Sequence, residues 1–469
     1  MGGVFGRVTL VYVCHDRPVY FRESLASLDR VRGLDKVDLI ASMDDYSEIE
    51  GLQSVLAEFP HLKFTVVYNV MPWRGFRVPT DQITNHYRLI LEYVFARDYD
   101  FAILVESDLI LSPDFLEYML GGAFLLDPIR NYNLFCISAW NDNGVHAVVL
   151  DPARAFRTDY FPGLGWMIHR SMWTEVLRHE WAPSVGNYNY DHWLRDTLSV
   201  KNLECVVPQV SRTHHIGDFG THVRGKAQAW YDSMVLASGE IVVDHAEFER
   251  VASVERFEAD LRDRLRCSVI ATKQEVWDRV ETSGGCGITV IVKYRGERDG
   301  LISVGEALTF FGLYSRGGFR GRHKGLLSFV ESDGNLTVNL LLDEFRHYWG
   351  VGVVGDSHIY SSIPSPKWKS VWEGLMQFTA VEMRDQEAIL GPEWGNSTVF
   401  CEETNATIDA YLQNFHSLSP NEFANCVGIV PAVDKHDRRR VTLVIRRIPY
   451  RYIARELCGF SINYPLMKI

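Results

Sequence analysis

The chain has 469 residues, of which 46% are hydrophobic and 12% aromatic, and a formal net charge of −12. That length exceeds what one hydrophobic core usually serves, so two or three domains are expected, and the composition describes a globular protein rather than a disordered one. The acidic balance argues against a general nucleic-acid binder, which neutralises phosphates with clustered Lys and Arg.

From Val8 to about Pro208, short apolar runs alternate with amphipathic segments of helical length. The runs predict strands at Thr9–Val13, Val37–Ala41, Phe64–Tyr68, Phe101–Val105 and Leu134–Ser138, and the periodic segments predict helices at Gln82–Phe95, Pro113–Leu126 and Ser171–Arg178. Such alternation builds a mostly parallel sheet with helices on both faces. Ligands of open α/β sheets bind beyond the carboxyl ends of the strands. Four runs deliver polar groups there: His15-Asp16-Arg17, Asp44-Asp45, Glu106-Ser107-Asp108 and Trp140-Asn141-Asp142-Asn143. The pair of acids after Phe101–Val105 suits a divalent metal, because Mg2+ and Mn2+ are held by one or two carboxylates plus substrate phosphates. A solvated strand end, with Ser112-Pro113-Asp114 capping a helix, is the plainer account of the same residues.

Beyond Gly225 the pattern changes. A charged helical stretch, Glu247–Arg266, leads through Ser283-Gly284-Gly285 to a small α+β region from Ile288 to about Leu342, and the rest reads as a further mixed domain. The expected division is 1–235, 236–345 and 346–469. Lys435–Arg440 reads as a solvated turn before a strand at Val441–Ile445.

The 8 cysteines form no Cys-x-x-Cys pair and are too few for a disulfide scaffold. Cys14 and Cys136 sit in apolar runs, where a thiol acts as a small hydrophobe. Sequons at Asn335, Asn396 and Asn405 favour a secretory location. No run approaches the roughly 18 apolar residues of a transmembrane helix, and the first residues lead into a strand, so no membrane segment or signal peptide is expected in these residues.

Several segments carry chemistry only in combination. Phe161-Pro162-Gly163-Leu164-Gly165-Trp166 fits core packing as well as a sugar-stacking wall. Asp191, between Tyr190 and His192-Trp193, fits a general base or a helix cap. Ser211–Gly220 has the small and polar composition of a mobile phosphate-covering loop, and its His214-His215 pair lacks the third ligand of a zinc site.

Taken in order over roughly residues 8–225, the chain resembles one family. Its motifs are Glu106-x-Asp108 after a buried strand, Cys136-x-Ser-Ala-Trp-Asn-Asp-x-Gly144, Pro162-Gly-Leu-Gly-Trp166, Asp191-x-Trp193-x-Arg195 and Ser211-Arg212-Thr213. The family is the inverting N-acetylglucosaminyltransferases that include N-acetylglucosaminyltransferase I of N-glycan processing and the protein O-mannose N-acetylglucosaminyltransferase. Gly317–Gly325 is similar to the Arg- and Gly-containing segment of its C-terminal subdomain, which weakens a reading of that stretch as an RNA-binding patch. Nothing in the resemblance covers the residues after about 346.

The resemblance implies a GT-A-type nucleotide-sugar fold, a UDP-GlcNAc donor, Mn2+ as cofactor, a mannose-containing glycan or glycoprotein acceptor and the Golgi lumen. It implies that Asp108 binds the metal, Glu106 lines the donor sugar, Arg17 meets the diphosphate, Asp44 and His86 recognise uracil, and Asp191 is the catalytic base. Tyr190 stands where the family usually has Trp, Ser107 replaces the middle acid of the metal motif, and His192 follows the base in place of an acid or Met. These departures keep a second class open, a non-catalytic glycan- or nucleotide-sugar-binding protein, and a third, a sugar-nucleotide hydrolase.

Overall fold

The computed structural model describes residues 6–44, 47–69, 79–129, 133–181, 189–217, 230–271, 275–276, 287–294, 301–315, 318–332 and 336–351, with strands at 398–402, 429–433 and 440–445. The apolar runs become the central strands: β1 (Val8–Cys14), β2 (Asp38–Asp44), β3 (Phe64–Asn69) and β4 (Phe101–Glu106), all parallel. Next come β5 (Leu109–Leu111), β6 (Leu134–Ser138), β7 (Ala155–Thr158), β8 (Trp166–His169), β9 (Glu204–Pro208) and β10 (Thr213–His215). The main sheet has the order β3-β2-β1-β4-β8-β6-β9-β7, with β8 and β7 running against the rest. The mostly parallel α/β sheet expected from the sequence is the one present.

Period-two alternation along β1 sends Val11 and Tyr12 to opposite faces. On one face Val11, Ile40, Ala102 and Leu104 pack with Tyr87, Ile90, Leu91 and Val94 of the helix Pro79–Phe95. On the other, Tyr12 meets Phe21 of the helix Pro18–Leu28 at 5.6 Å between ring centres. Each such buried side chain contributes about 2 kcal/mol of transfer free energy. Pro18 starts its helix where a missing N–H costs nothing.

Two expected helices differ in detail. In place of one helix over 113–126, an α-helix Phe115–Gly122 tightens to a 3-10 turn at Ala123–Leu126. At Gly122 a Cβ would stand 2.7 Å from Ile137 and 2.8 Å from Phe248, so the missing side chain lets this end lie close to its neighbours. Over 171–178 the chain forms a π-helix, Met172–Leu177, in which Arg178 N–H reaches Trp173 O at 2.8 Å and the wider turn buries Trp173 and Leu177.

A second sheet follows: β11 (Val269–Ala271), β12 (Ile288–Lys293), β13 (Ile302–Ser303), β14 (Leu326–Val330) and β15 (Thr337–Leu342), ordered β11-β12-β15-β14 with β13 on β12. The chain divides into two units, residues 1–198 with 202–340, and residues 199–201 with 341–469. The second holds an antiparallel sheet of β16 (Thr398–Glu402), β17 (Ile429–Val433) and β18 (Arg440–Ile445), with β18 in the middle. The three sequons, the expected turn at 435–439 and Asp45 lie outside the described residues. Among the described residues no helix is long and apolar enough to cross a membrane.

Candidate active site

Parallel register fixes what meets at the carboxyl edge. Val13 lies beside Glu106 and Cys14 beside Met43, so the turns after β1, β2 and β4 converge. Arg17 Nη1 reaches Asp108 Oδ2 at 2.8 Å. Glu106 Oε1 accepts from Tyr87 Oη at 2.9 Å and Tyr190 Oη at 3.4 Å, and these two rings stack at 4.0 Å. Burial and then the charge of Asp108 push the Glu106 carboxyl above its ordinary value. Burial alone would do the same to Asp108, but His215 and Arg17 outweigh it and hold that carboxyl below its ordinary value. Ser107 is buried between the two acids, and its N–H donates to Val13 O at 3.3 Å.

The segment after Val210 is not a free loop. Arg212 is fully buried, giving Nε to Asp114 Oδ2 at 3.0 Å and its remaining donors to carbonyls of Val210, Pro152 and Ile241. That use of Asp114 also explains why it makes no cap hydrogen bond at the start of its helix. β10 then pairs with β5, setting His215 beside Leu109. The expectation of a mobile cover at 211–215 therefore fails, because a guanidinium with its donors engaged anchors it; residues 218–220 lie outside the described residues.

His215 Nε2 stands 3.4 Å from Asp108 Oδ2, with its ring stacked on Tyr231 at 4.4 Å. Burial lowers this imidazole's proton affinity, but Asp108 outweighs burial and the net shift is upward. Two observations fit a divalent cation here. Asp108 Oδ1 is buried with no hydrogen-bond partner among the described residues, leaving an unused lone-pair face on a carboxylate. At Gly217 a Cβ would lie 2.7 Å from Asp108 Oδ2 and 2.9 Å from Arg17 Nη1, so only glycine leaves that cradle open. Among the described residues no cluster of 3 or more His, Cys, Asp or Glu could hold a metal alone, so Asp108 would share a cation with non-protein ligands.

Asp44 and His86 also meet. His86 Nδ1 lies 3.5 Å from Asp44 Oδ2, and Nε2 lies 2.8 Å from Ser42 Oγ, which accepts from Asn69 Nδ2 at 2.7 Å. Burial pulls the imidazole down to about 4, so it is neutral at physiological pH. Burial would raise Asp44, yet His15, 3.6 Å away, and His86 hold it below its ordinary value. The result is a polar recess of neutral and anionic hydrogen-bonding groups.

Asp191 sits in the first turn of the helix beginning at Tyr190, and its Oδ2 is 2.8 Å from Arg195 Nη1 one turn on. Its carboxylate thus faces a guanidinium and not aromatic rings alone. Arg195 also donates Nε to Phe161 O at 3.1 Å and lies over the Tyr160 ring. Trp166 is 1% exposed and stacks on Phe135 at 6.0 Å, so the glycine-rich loop before it is core packing.

The basic residues after Gly318 turn inward. Arg320 Nη1 meets buried Asp142 Oδ1 at 2.9 Å, Arg322 lies 3.3 Å from Asp159, and Lys324 lies 3.1 Å from Glu204. Sequence reading missed Tyr87, Arg195 and His215 as parts of the site. Arg195 carried a signal in its i,i+4 spacing from Asp191. Tyr87 had only its place next to His86, and His215 was set aside because no zinc partners accompany it.

The GNT-I family model matches residues 9–333. The alpha-1,3-mannosyl-glycoprotein 2-beta-N-acetylglucosaminyltransferase of Arabidopsis thaliana is 35% identical over 167 residues, covering 35% of this chain and 36% of that protein. The match therefore spans about a third of that relative's length. Two similar solved structures are the mannosyltransferase PcManGT from Pyrobaculum calidifontis with GDP-Man and Mn2+ (14% identity, 43% of this chain and 55% of that chain, TM-score 0.30) and S. aureus TarS 1–349 with UDP-GlcNAc (13%, 52% and 70%, 0.34). Superpositions this loose carry no argument about individual residues.

Proposed function

The chain belongs to the GNT-I family, and from that premise we propose that it is a metal-dependent, inverting glycosyltransferase moving N-acetylglucosamine from UDP-GlcNAc to a mannose-terminated glycan or glycoprotein. The observation that carries the reading is Asp108: a buried, charged carboxylate with one oxygen unpartnered, at the carboxyl edge of a parallel sheet. A divalent cation such as Mn2+, when bound there, supplies charge neutralisation for the UDP leaving group. Asp108 would hold that cation. Arg17, already 2.8 Å from Asp108, is placed to turn its guanidinium to the diphosphate by charge-assisted hydrogen bonds.

Asp44 and neutral His86 offer an acceptor and a ring nitrogen to uracil. Glu106, ordered by the phenols of Tyr87 and Tyr190, accepts from sugar hydroxyls, and Ser107 offers one hydroxyl where relatives place an acid. Asp191, oriented by Arg195, takes the proton from the attacking acceptor hydroxyl. A single displacement on the opposite face of the sugar inverts the anomeric centre. The disulfide at Cys267 supports an oxidising compartment, in keeping with the Golgi lumen.

Titration of UDP-GlcNAc with and without Mn2+, run beside a turnover assay on a mannoside, tests the reading. An enzyme needs the metal for both tight binding and turnover. Metal-dependent binding without product would leave the non-catalytic binder, and free N-acetylglucosamine as sole product would leave a hydrolase.

A further inference from the structure

We propose that a second ligand site, built at Arg154, Arg264 and Ser328, binds an oxyanion, a phosphate or sulfate group either free or carried on a sugar. The site is a cleft at the carboxyl edge of the main sheet, where Asn141 follows β6, Gln209 follows β9 and antiparallel β7 begins at Ala155. In strand order it lies on the far side of β8 from the turns that hold Asp44 and Asp108. Another wall is the helix Val254–Cys267, capped by Ser253 Oγ accepting from Arg256 N–H at 3.2 Å. Spacing of i,i+4 puts Phe257, Leu261 and Leu265 on its buried face, so Asp260 and Arg264, three residues after Phe257 and Leu261, come out on the shoulder that borders the cleft. β14 adds Ser328. The cleft has a volume of about 110 Å3, room for a small anion.

Four arginines line this cleft against one carboxylate, Asp260. Two of them are committed: Arg157 to Glu204 and two carbonyls, and Arg250 to Glu247, Asp260 and Ala155 O. Arg154 shares that Glu247 at 3.1 Å, with its side chain 42% exposed. Arg264 has no carboxylate in ion-pair range among the described residues. Its one hydrogen bond runs from Nη1 to Ser328 Oγ at 3.2 Å, which leaves the serine O–H to donate elsewhere. The guanidiniums of Arg154, Arg250 and Arg264 therefore share the carboxylates of Glu247 and Asp260, in a chain whose net charge is −12. The excess positive charge is local. Val148, Leu150, Phe257, Leu261, Leu327 and Phe329 supply apolar lining, and low-dielectric walls focus the field of charges at a cleft. Guanidinium forks take oxyanions in bidentate fashion, and the hydroxyl adds a further donor, so a tetrahedral phosphate or sulfate group fits the donor set.

Isothermal titration calorimetry of the full chain with inorganic phosphate and inorganic sulfate in low-salt buffer tests this, with and without saturating UDP and Mn2+. Phosphate and sulfate should each bind at one saturable site, more weakly as ionic strength rises and no differently when UDP and Mn2+ are present. Arg264→Gln should weaken binding at least about tenfold, the scale of one hydrogen bond to a charged group, and Arg264→Lys, which keeps the charge and loses the fork, by less. Arg154→Gln, from a different wall, gives a second and independent loss should Arg264→Gln fold poorly. Tighter binding of mannose 6-phosphate than of inorganic phosphate assigns the site to an anion carried on a sugar, and equal or weaker binding assigns it to the free ion. No saturable binding, binding that UDP displaces, or binding unchanged in both Arg264→Gln and Arg154→Gln overturns the proposal.

Discussion

Glu204 is surrounded. Arg157 Nε lies 2.5 Å from its Oε2 and His323 Nδ1 3.5 Å away, Lys324 Nζ is 3.1 Å from Oε1, and Arg157 gives Nη1 to the carbonyls of Val251 and Ala252. Asp108 is also buried, though less deeply, beside a second carboxylate, yet one of its oxygens has no partner among the described residues. Both clusters pair acids with bases. The first pairs both carboxylate oxygens with cations and ties the Arg- and Gly-containing segment to the main sheet, whereas the second leaves a lone-pair face of one carboxylate oxygen open. Buried charge marks neither structure nor function by itself; how completely it is partnered separates the two.

Opposite signatures should follow from matched substitutions. Asp108→Asn removes the proposed metal ligand and a charge next to Glu106 without changing shape, so transfer should fall by at least about 10³-fold, the scale of several kcal/mol of lost charge stabilisation, with little change in melting temperature. Glu204→Gln should do the reverse: breaking a buried ion cluster costs about 3–5 kcal/mol of unfolding free energy, read by denaturant titration, with the turnover of folded protein preserved. If the two variants show the same pattern, the distinction between clusters is wrong. Asp191→Asn should lower turnover by about 10²-fold or more with UDP-GlcNAc affinity unchanged, and equal loss of donor binding would move Asp191 to the donor site.

The sequence carried the sheet and its functional edge well, because both depend on local pattern. Runs such as Phe101–Val105 are apolar throughout, and parallel pairing then sends their following residues to one place. The partners of those residues were less legible. Arg320 and Asp142 are 178 positions apart, and nothing local says that an Arg between glycines is internal. Arg212 likewise made Ser211–His215 look like a loop, since a polar composition does not reveal that its donors are met by Asp114 and three carbonyls. His215 was hidden because its role comes from cross-strand pairing with β5, a contact with no sequence spacing to read.

Acid should sharpen the contrast by a smaller margin. Burial alone would raise Glu204, but His323, Lys324 and Arg157 hold its folded value below the ordinary 4.5. Its ionised form therefore contributes stability that is present above that value and is lost as pH falls below it. Unfolding free energies of wild type and Glu204→Gln measured from neutral pH downwards should converge in acid; a gap that stays constant would show that Glu204 is not the group involved. The smallest effect is expected at Ser107. Ser107→Asp should tighten UDP-GlcNAc binding by about tenfold, the scale of one charge-assisted hydrogen bond, while a strong loss would show a site built around the hydroxyl.

The most direct measurement is proton NMR of the reaction of UDP-GlcNAc with a mannoside in the presence of Mn2+, following the anomeric signals as product forms. The α-configured donor should give a β-linked N-acetylglucosaminyl mannoside, with signals absent when Mn2+ is removed or Asp108 is replaced by Asn. An α-linked product, free N-acetylglucosamine alone, or product formed equally well without metal would contradict the account.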